Sequence, residues 1–207
     1  MPTDHGINSV ADLESVLGEP FEEIKLKIRS DLDDIMQEFI ADSPLVFVST
    51  LDESGLPDIS PKGDPAGFVQ VDGNGDLLIP ERPGNRLAMG FRNILENGRI
   101  GLIFVIPNQR ETLRVKGRAT LHADPNVLEE MTVNRKPALM YTRVTVEEAF
   151  FHCGKAMIRS KLWQPDKWGA GGAPPIARQF NAAIGGDEES EKNIQAEREK
   201  NYEEELY

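Results

Sequence analysis

The stretch "IPERPGNRLAMGFRNIL", residues 79–95, sets two guanidinium groups, Arg82 and Arg86, around Gly84 and Asn85 where an apolar run gives way to an amphipathic helical pattern. Backbone N–H groups at a helix start lack partners and the helix dipole is positive there, so a helix beginning near Asn85 offers a place for an anion. Arg86 adds a charged fork of donors suited to phosphate, and Arg82 can do the same from the turn. Solvent-facing arginines are equally compatible with such a loop, and the residues alone leave both readings open. A further cation, Lys62, lies in "DISPKGDPAGF" beside Gly63, where the backbone can approach a ligand closely; a lysine next to glycine is also an ordinary hairpin feature. In "FFHCGKAMIRSKLWQP", Lys155 and Arg159 share one face if the segment is helical, with Ser160 and Trp163 on another. Such a pair suits an anion, and a plain amphipathic helix explains it as well.

Other chemistries find no anchor. The chain lacks a GxGxxG turn opening a helix and a GxxxxGK phosphate loop. Cys153 next to His152 does not make a nucleophile and base, because adjacent residues on a helix or strand point apart. His5, His122 and His152 with one cysteine give no zinc spacing, so no metal site is expected. The acidic residues are too dispersed to single out a general acid.

With 207 residues, 39% of them apolar, the chain suits a single domain with a real core. The net charge is −12, and residues 187–207 hold nine acids against three bases, half of that excess. No basic surface suited to nucleic acid is present. A membrane helix needs roughly 18 consecutive apolar residues, which occur nowhere, and the start "MPTDHGINSV" lacks a secretory pattern, so a cytoplasmic protein is expected.

The elements that must position these residues follow from periodicity. Ser9 and Gly18 bracket a short helix, and Pro20 opens a second whose Phe21, Ile24, Ile28, Leu32, Ile35 and Phe39 recur at helical spacing, predicting a helix lying on a core. "PLVFVSTL" and the segment through Ile59 read as a hairpin, and "AGFVQV" with "DLLIP" as a second. A helix over 85–96 precedes two longer strands, "RIGLIFVIP" and "TLRVKGRATLHA", a short helix near 125–132 and a strand near 140–151. Six or more closely spaced strands with few helices predict a closed or half-closed antiparallel barrel. The domain reading is therefore N-terminal helices over 1–43, a core over 44–168, a loop and short helix over 169–186, and an acidic tail over 187–207. That tail is too polar to order by itself and is expected to be solvated or disordered and dispensable for folding.

Taken in order, "PLVFVSTLDESGLPDISPKGDPAGFV", "LLIPERPGNRLAMGFRNILENGRIGLIFVIP", "ETLRVKGRATL" and "FFHCGKAMIRSKLW" resemble the pyridoxamine 5′-phosphate oxidase-like superfamily of FMN-binding split barrels, and within it the subfamily of probable FMN-dependent enzymes. The resemblance runs from about residue 20 to 168 and implies a mainly β fold with flanking helices, a six-stranded antiparallel split β-barrel. It implies FMN held at a homodimer interface. Asn85 and Arg86 match phosphate ligands, with Arg82 in the same turn, and Lys62 reaches the phosphate or the flavin edge. Ser60, Pro61 and Gly63 line the ring, Ile79 and Pro80 pass beneath it, and Thr112 sits near it. Lys155, Arg159, Ser160 and Trp163 match a late segment that approaches the flavin from the partner subunit.

The implied activity is an FMN-dependent oxidoreductase on a small molecule. A flavin reductase-like or deazaflavin-using enzyme, or a non-catalytic flavin- or haem-binding module, stays open beside it. Pyridoxamine 5′-phosphate oxidase activity itself is not expected, because the family's closing arginine-rich motif is absent from "WQPDKWGAGGAPPIARQFNAAIGG".

Overall fold

Alternation decides the core. In β1 (Leu45–Leu51) Val46, Val48 and Thr50 are buried, while Phe47 between them is exposed. Their partners in β5 (Arg99–Val105) are Phe104, Leu102 and Ile100, and β6 (Thr112–His122) continues the row with Leu113 and Val115. One face of this ladder is thus a continuous apolar layer, and each buried side chain contributes roughly 1.5–3 kcal/mol relative to exposure. Helix α3 (Asp34–Asp42), capped by the Asp33 side chain on the Met36 N–H (2.9 Å), adds Met36 and Ile40 to the same cluster.

The structure, a computed structural model, describes residues 5–19, 21–169, 171–172 and 174–207; Pro20, expected to open the second helix, lies outside them. Helices α1 (Val10–Leu17) and α2 (Glu22–Lys25) precede α3. Strands β2 (Pro57–Gly63), β3 (Gln70–Val71), β4 (Leu77–Glu81) and β7 (Met140–His152) complete the sheet. Helix α4 (Met89–Asn97) precedes β5, α5 (Pro125–Glu130) precedes β7, and α6 (Lys155–Ser160), α7 (Pro175–Ile184) and α8 (Glu188–Glu204) follow it. No helix among the described residues is long and apolar enough to cross a membrane.

All strand pairs are antiparallel, in the order β2-β1-β5-β6-β7-β4-β3. Among the described residues the sheet has seven strands and not the six that the resemblance implies; the second hairpin is present as read, with its first strand, β3, only two residues long. A bulge at Lys116/Gly117 bends the long β6–β7 pair, and only glycine fits there, since a Cβ on Gly117 would lie 2.0 Å from the Thr145 carbonyl oxygen. The sheet coils far enough that Lys62 of β2 and Glu81 of β4, distant in strand order, meet side chain to side chain. Among the described strands no backbone ladder closes that gap.

The single helix expected over residues 20–42 is broken. Arg29 leaves helical geometry to pair its backbone with Ala149 of β7 (3.0 and 2.8 Å), and Phe21, Ile24, Ile28 and Ile35 are exposed. Their spacing is helical, but among the described residues nothing covers them. The acidic tail forms α8, which has no fully buried residue and packs one half-buried side, including Ser190, Glu191 and Ile194, next to α7.

Candidate functional site

Helix α4 is pinned by two amide side chains: Asn93 donates to Thr50 Oγ1 (3.0 Å) and Asn97 to the Leu51 carbonyl (2.6 Å). Gly98, with φ 67°, ends the helix as the sequence indicates. The helix lies close to β1 and β2 at Gly90, where a Cβ would make ordinary contact with Asp58 and Thr50 oxygens at 3.4 and 3.5 Å. This fixes the helix N-terminus over the gap in the sheet.

The helix begins at Met89 and not near Asn85. Residues 85–88 form a tight turn in which Asn85 Oδ1 accepts the Leu87 N–H (3.0 Å), and Arg86 (φ 62°) and Ala88 (φ 55°) are left-handed. Non-glycine residues in this region cost of order 1–3 kcal/mol each and concentrate where a site needs a particular backbone. Ala88 stands at the cap position without a side-chain acceptor, and the first helical bond is Arg92 N–H to Ala88 O (3.0 Å). The N–H groups of Met89, Gly90 and Phe91 are therefore not used inside the helix. Among the described residues Arg86 has no hydrogen-bond or ion-pair partner, and it is exposed.

This turn borders a cavity of about 680 Å³. Its floor is apolar, from Val48, Phe68, Ile79, Ile94 and Ile100. Ser60, Pro61, Lys62, Gly63, Pro80, Arg82, Asn85 and Arg86, all expected from sequence, line it together with Ile79. Thr112, Lys155, Arg159, Ser160 and Trp163 do not: Thr112 is buried and pairs with His152, Trp163 Nε1 donates to the Gln109 carbonyl (2.6 Å), and Lys155, Arg159 and Ser160 are exposed.

Two ion pairs set the electrostatics. Lys62 Nζ lies 2.5 Å from Glu81 Oε2 and 4.7 Å from the Phe91 ring centroid, and the other oxygen of Glu81 accepts from Thr142 Oγ1 (2.7 Å). Burial pushes the Glu81 carboxyl above its ordinary value, against the pull of Lys62 and Thr142. Arg82 Nε donates to Asp64 (2.7 Å) and Nη2 to the Met131 carbonyl (2.8 Å), while Nη1 is buried without a partner among the described residues. Arg82 is thus committed to the wall, which leaves Arg86 as the cation available at the turn. Glu81, Thr142, Asp58, Asp64 and Phe91 were not anticipated as lining residues; only Glu81 carried a signal, as an acid closing an apolar run.

A family model described as pyridoxamine 5′-phosphate oxidase matches residues 32–153. No curated protein matches the chain. Solved structures similar to it include Group A Streptococcus HupZ, with 21% identity over 58% of this chain and 93% of that one and a TM-score of 0.46. A Clostridium acetobutylicum protein related to general stress protein 26, of the pyridoxinephosphate oxidase family, has 19% identity over 59% and 91%, TM-score 0.42. An F420 reductase has 19% identity over 56% and 94%, TM-score 0.40. The family match takes in α3, every strand of the sheet and the α4 turn, more than half of the 207 residues, and on that ground the chain belongs to the pyridoxamine 5′-phosphate oxidase family.

Proposed function

We propose that this chain binds FMN in the cavity and is an FMN-dependent oxidoreductase acting on a small molecule other than pyridoxamine 5′-phosphate. The observation that carries the reading is the uncapped start of α4, with unpaired Arg86 beside it, at one end of a cavity with an apolar floor. One end suits a single phosphate, and the rest suits a planar ring. Met89, Gly90 and Phe91 N–H groups and Arg86 would hold the phosphate, with the free amide nitrogen of Asn85 in reach of the same turn. The backbone of Ser60–Gly63 and the pair Ile79–Pro80 would flank the ring, and Lys62 keeps donors to spare beyond the one given to Glu81. Bound flavin supplies the electron and hydride chemistry; the protein orients it and excludes water. Titration of the purified chain should show FMN bound at least about tenfold more tightly than FAD, because a second phosphate and an adenosine find no further anchor. A Soret band, or no chromophore and no FMN affinity, would replace this reading by the haem or deazaflavin alternatives.

The site is further proposed to be completed in a homodimer. An outward apolar row supports this: Phe47 stands in register with Pro61 and Ile103, and Ile59 beside them is 66% exposed. Lys155, Arg159, Ser160 and Trp163, away from the chain's own cavity, are assigned to the partner's, whereas buried Thr112 has no place in either. Sedimentation should give about twice 23.0 kDa, and Phe47→Asp a monomer with weakened FMN binding. A monomeric wild type that holds FMN as tightly removes the shared-site reading.

A further inference from the structure

Helix α8 has no apolar face and no fully buried residue; its first part packs on α7, where Asn181 donates to the Asp187 carbonyl (3.0 Å). Its final segment nevertheless reaches the cavity, where Leu206 and Tyr207 form part of the lining. Tyr207 is held from three sides. Its hydroxyl donates to Asp64 Oδ1 (2.9 Å), its ring lies 5.7 Å from the Arg82 guanidinium carbon, and its main-chain carbonyl accepts from Lys136 Nζ. Asp64 and Arg82 are themselves locked together, and their side chains are 1% and 13% exposed, so they present a fixed wall and not a pair of mobile surface charges. Tyr207 also lines a smaller cavity of about 260 Å³, together with Arg82, Pro83, Lys136, Pro137 and Leu139.

A residue carried in at the end of a helix with no apolar face, and held in place by its ring, its hydroxyl and one carbonyl, shows what this wall recognises. We infer that Arg82, Asp64 and Lys136 form a subsite for a phenolic ring carrying a nearby oxygen acceptor, and that Tyr207 occupies it until such a molecule displaces it. The inference rests on the flavin reading of the adjoining cavity for its catalytic meaning: the subsite would place a hydroxylated aromatic substrate next to the ring. The guanidinium supplies the cation–π face, the carboxylate accepts the phenol proton, and the ammonium meets the acceptor oxygen.

The test uses p-cresol, the tyrosine side chain as a free molecule, and 4-methylanisole, which has the same ring without the donor. Binding to the full chain is read by saturation-transfer NMR without flavin, and again by flavin fluorescence with FMN bound. In Tyr207→Ala p-cresol should bind at least about tenfold more tightly than in the wild type, and about tenfold more tightly than 4-methylanisole, the factor expected for a hydrogen bond to a charged acceptor. Tyr207→Ala binding p-cresol no better than the wild type, or binding both probes alike, overturns the subsite. The NMR arm is independent of flavin, so a chain that selects p-cresol but binds no FMN keeps the subsite and loses the flavin reading; the reverse result does the opposite.

Discussion

Arg86→Ala is expected to lower the proposed FMN affinity by about ten- to a hundredfold and to leave the urea midpoint unchanged. The magnitude follows from losing a charge-assisted contact, about 1.5–3 kcal/mol, where each 1.4 kcal/mol is a factor of about ten. The absence of a stability effect follows from the side chain's position: it is exposed and has no hydrogen-bond or ion-pair partner among the described residues, and alanine at φ 62° carries the same left-handed strain as arginine. Arg86→Lys should fall between the two, since an ammonium keeps the charge without the fork. Fluorescence titration at two ionic strengths checks both points, because a phosphate held by an exposed cation also weakens with salt. Equal affinity in Arg86→Ala and the wild type removes the phosphate from this turn.

Lys62→Met should be the most destabilising single change at the cavity, by about 3–5 kcal/mol at pH 8, because it strands the Glu81 carboxylate, whose side chain is 4% exposed. The loss depends on pH with a defined sign. Burial holds the folded-state pKa of Glu81 above its ordinary 4.5, so its contribution is fully present below that value and is lost as pH rises through the folded value. Removing Lys62 removes the largest influence opposing that rise, so the deficit against the wild type should shrink on acidification as Glu81 takes up a proton. Lys62→Met/Glu81→Gln, with no charge left to bury, should regain most of the loss and show no such slope. Urea unfolding at pH 5 and pH 8 measures all three chains. A deficit below about 1 kcal/mol at pH 8, or one equal at both pH values, would mean that the pair is hydrated in solution and that Glu81 does not depend on Lys62.

Much of the fold was legible because it depends on local alternation and on turn chemistry. Val46, Val48 and Thr50 face inward and Phe47 outward in β1, as a period of two demands. Asp52 and Asp72 each fold their hairpin turn by accepting N–H groups two and four residues on, and Gly98 ends α4. Nine of the fourteen residues proposed for the site converge on one cavity, since strand ends and the following turn are adjacent in sequence as well as in space.

The misreadings share a different cause. The apolar spacing of Phe21, Ile24 and Ile28 states which side chains would be buried by a helix with a partner surface, not whether that surface exists on the same chain. Ala88 and Arg86 gave no sign of left-handed backbone, which glycine or asparagine would have announced. Which cation stays available was decided only by tertiary structure. Lys62 and Arg82 look as free as Arg86 in the sequence, yet they are taken by Glu81, 19 residues away, and by Asp64, 18 away. Tyr207 reaches Asp64 across 143 residues. Sequence by itself determined the strands, the turns and the residue types at the cavity. Charge pairing and occupancy came from the coiling of the sheet, because an electrostatic contact is a matter of distance in space, and chain order does not encode that distance once the strands have folded past one another.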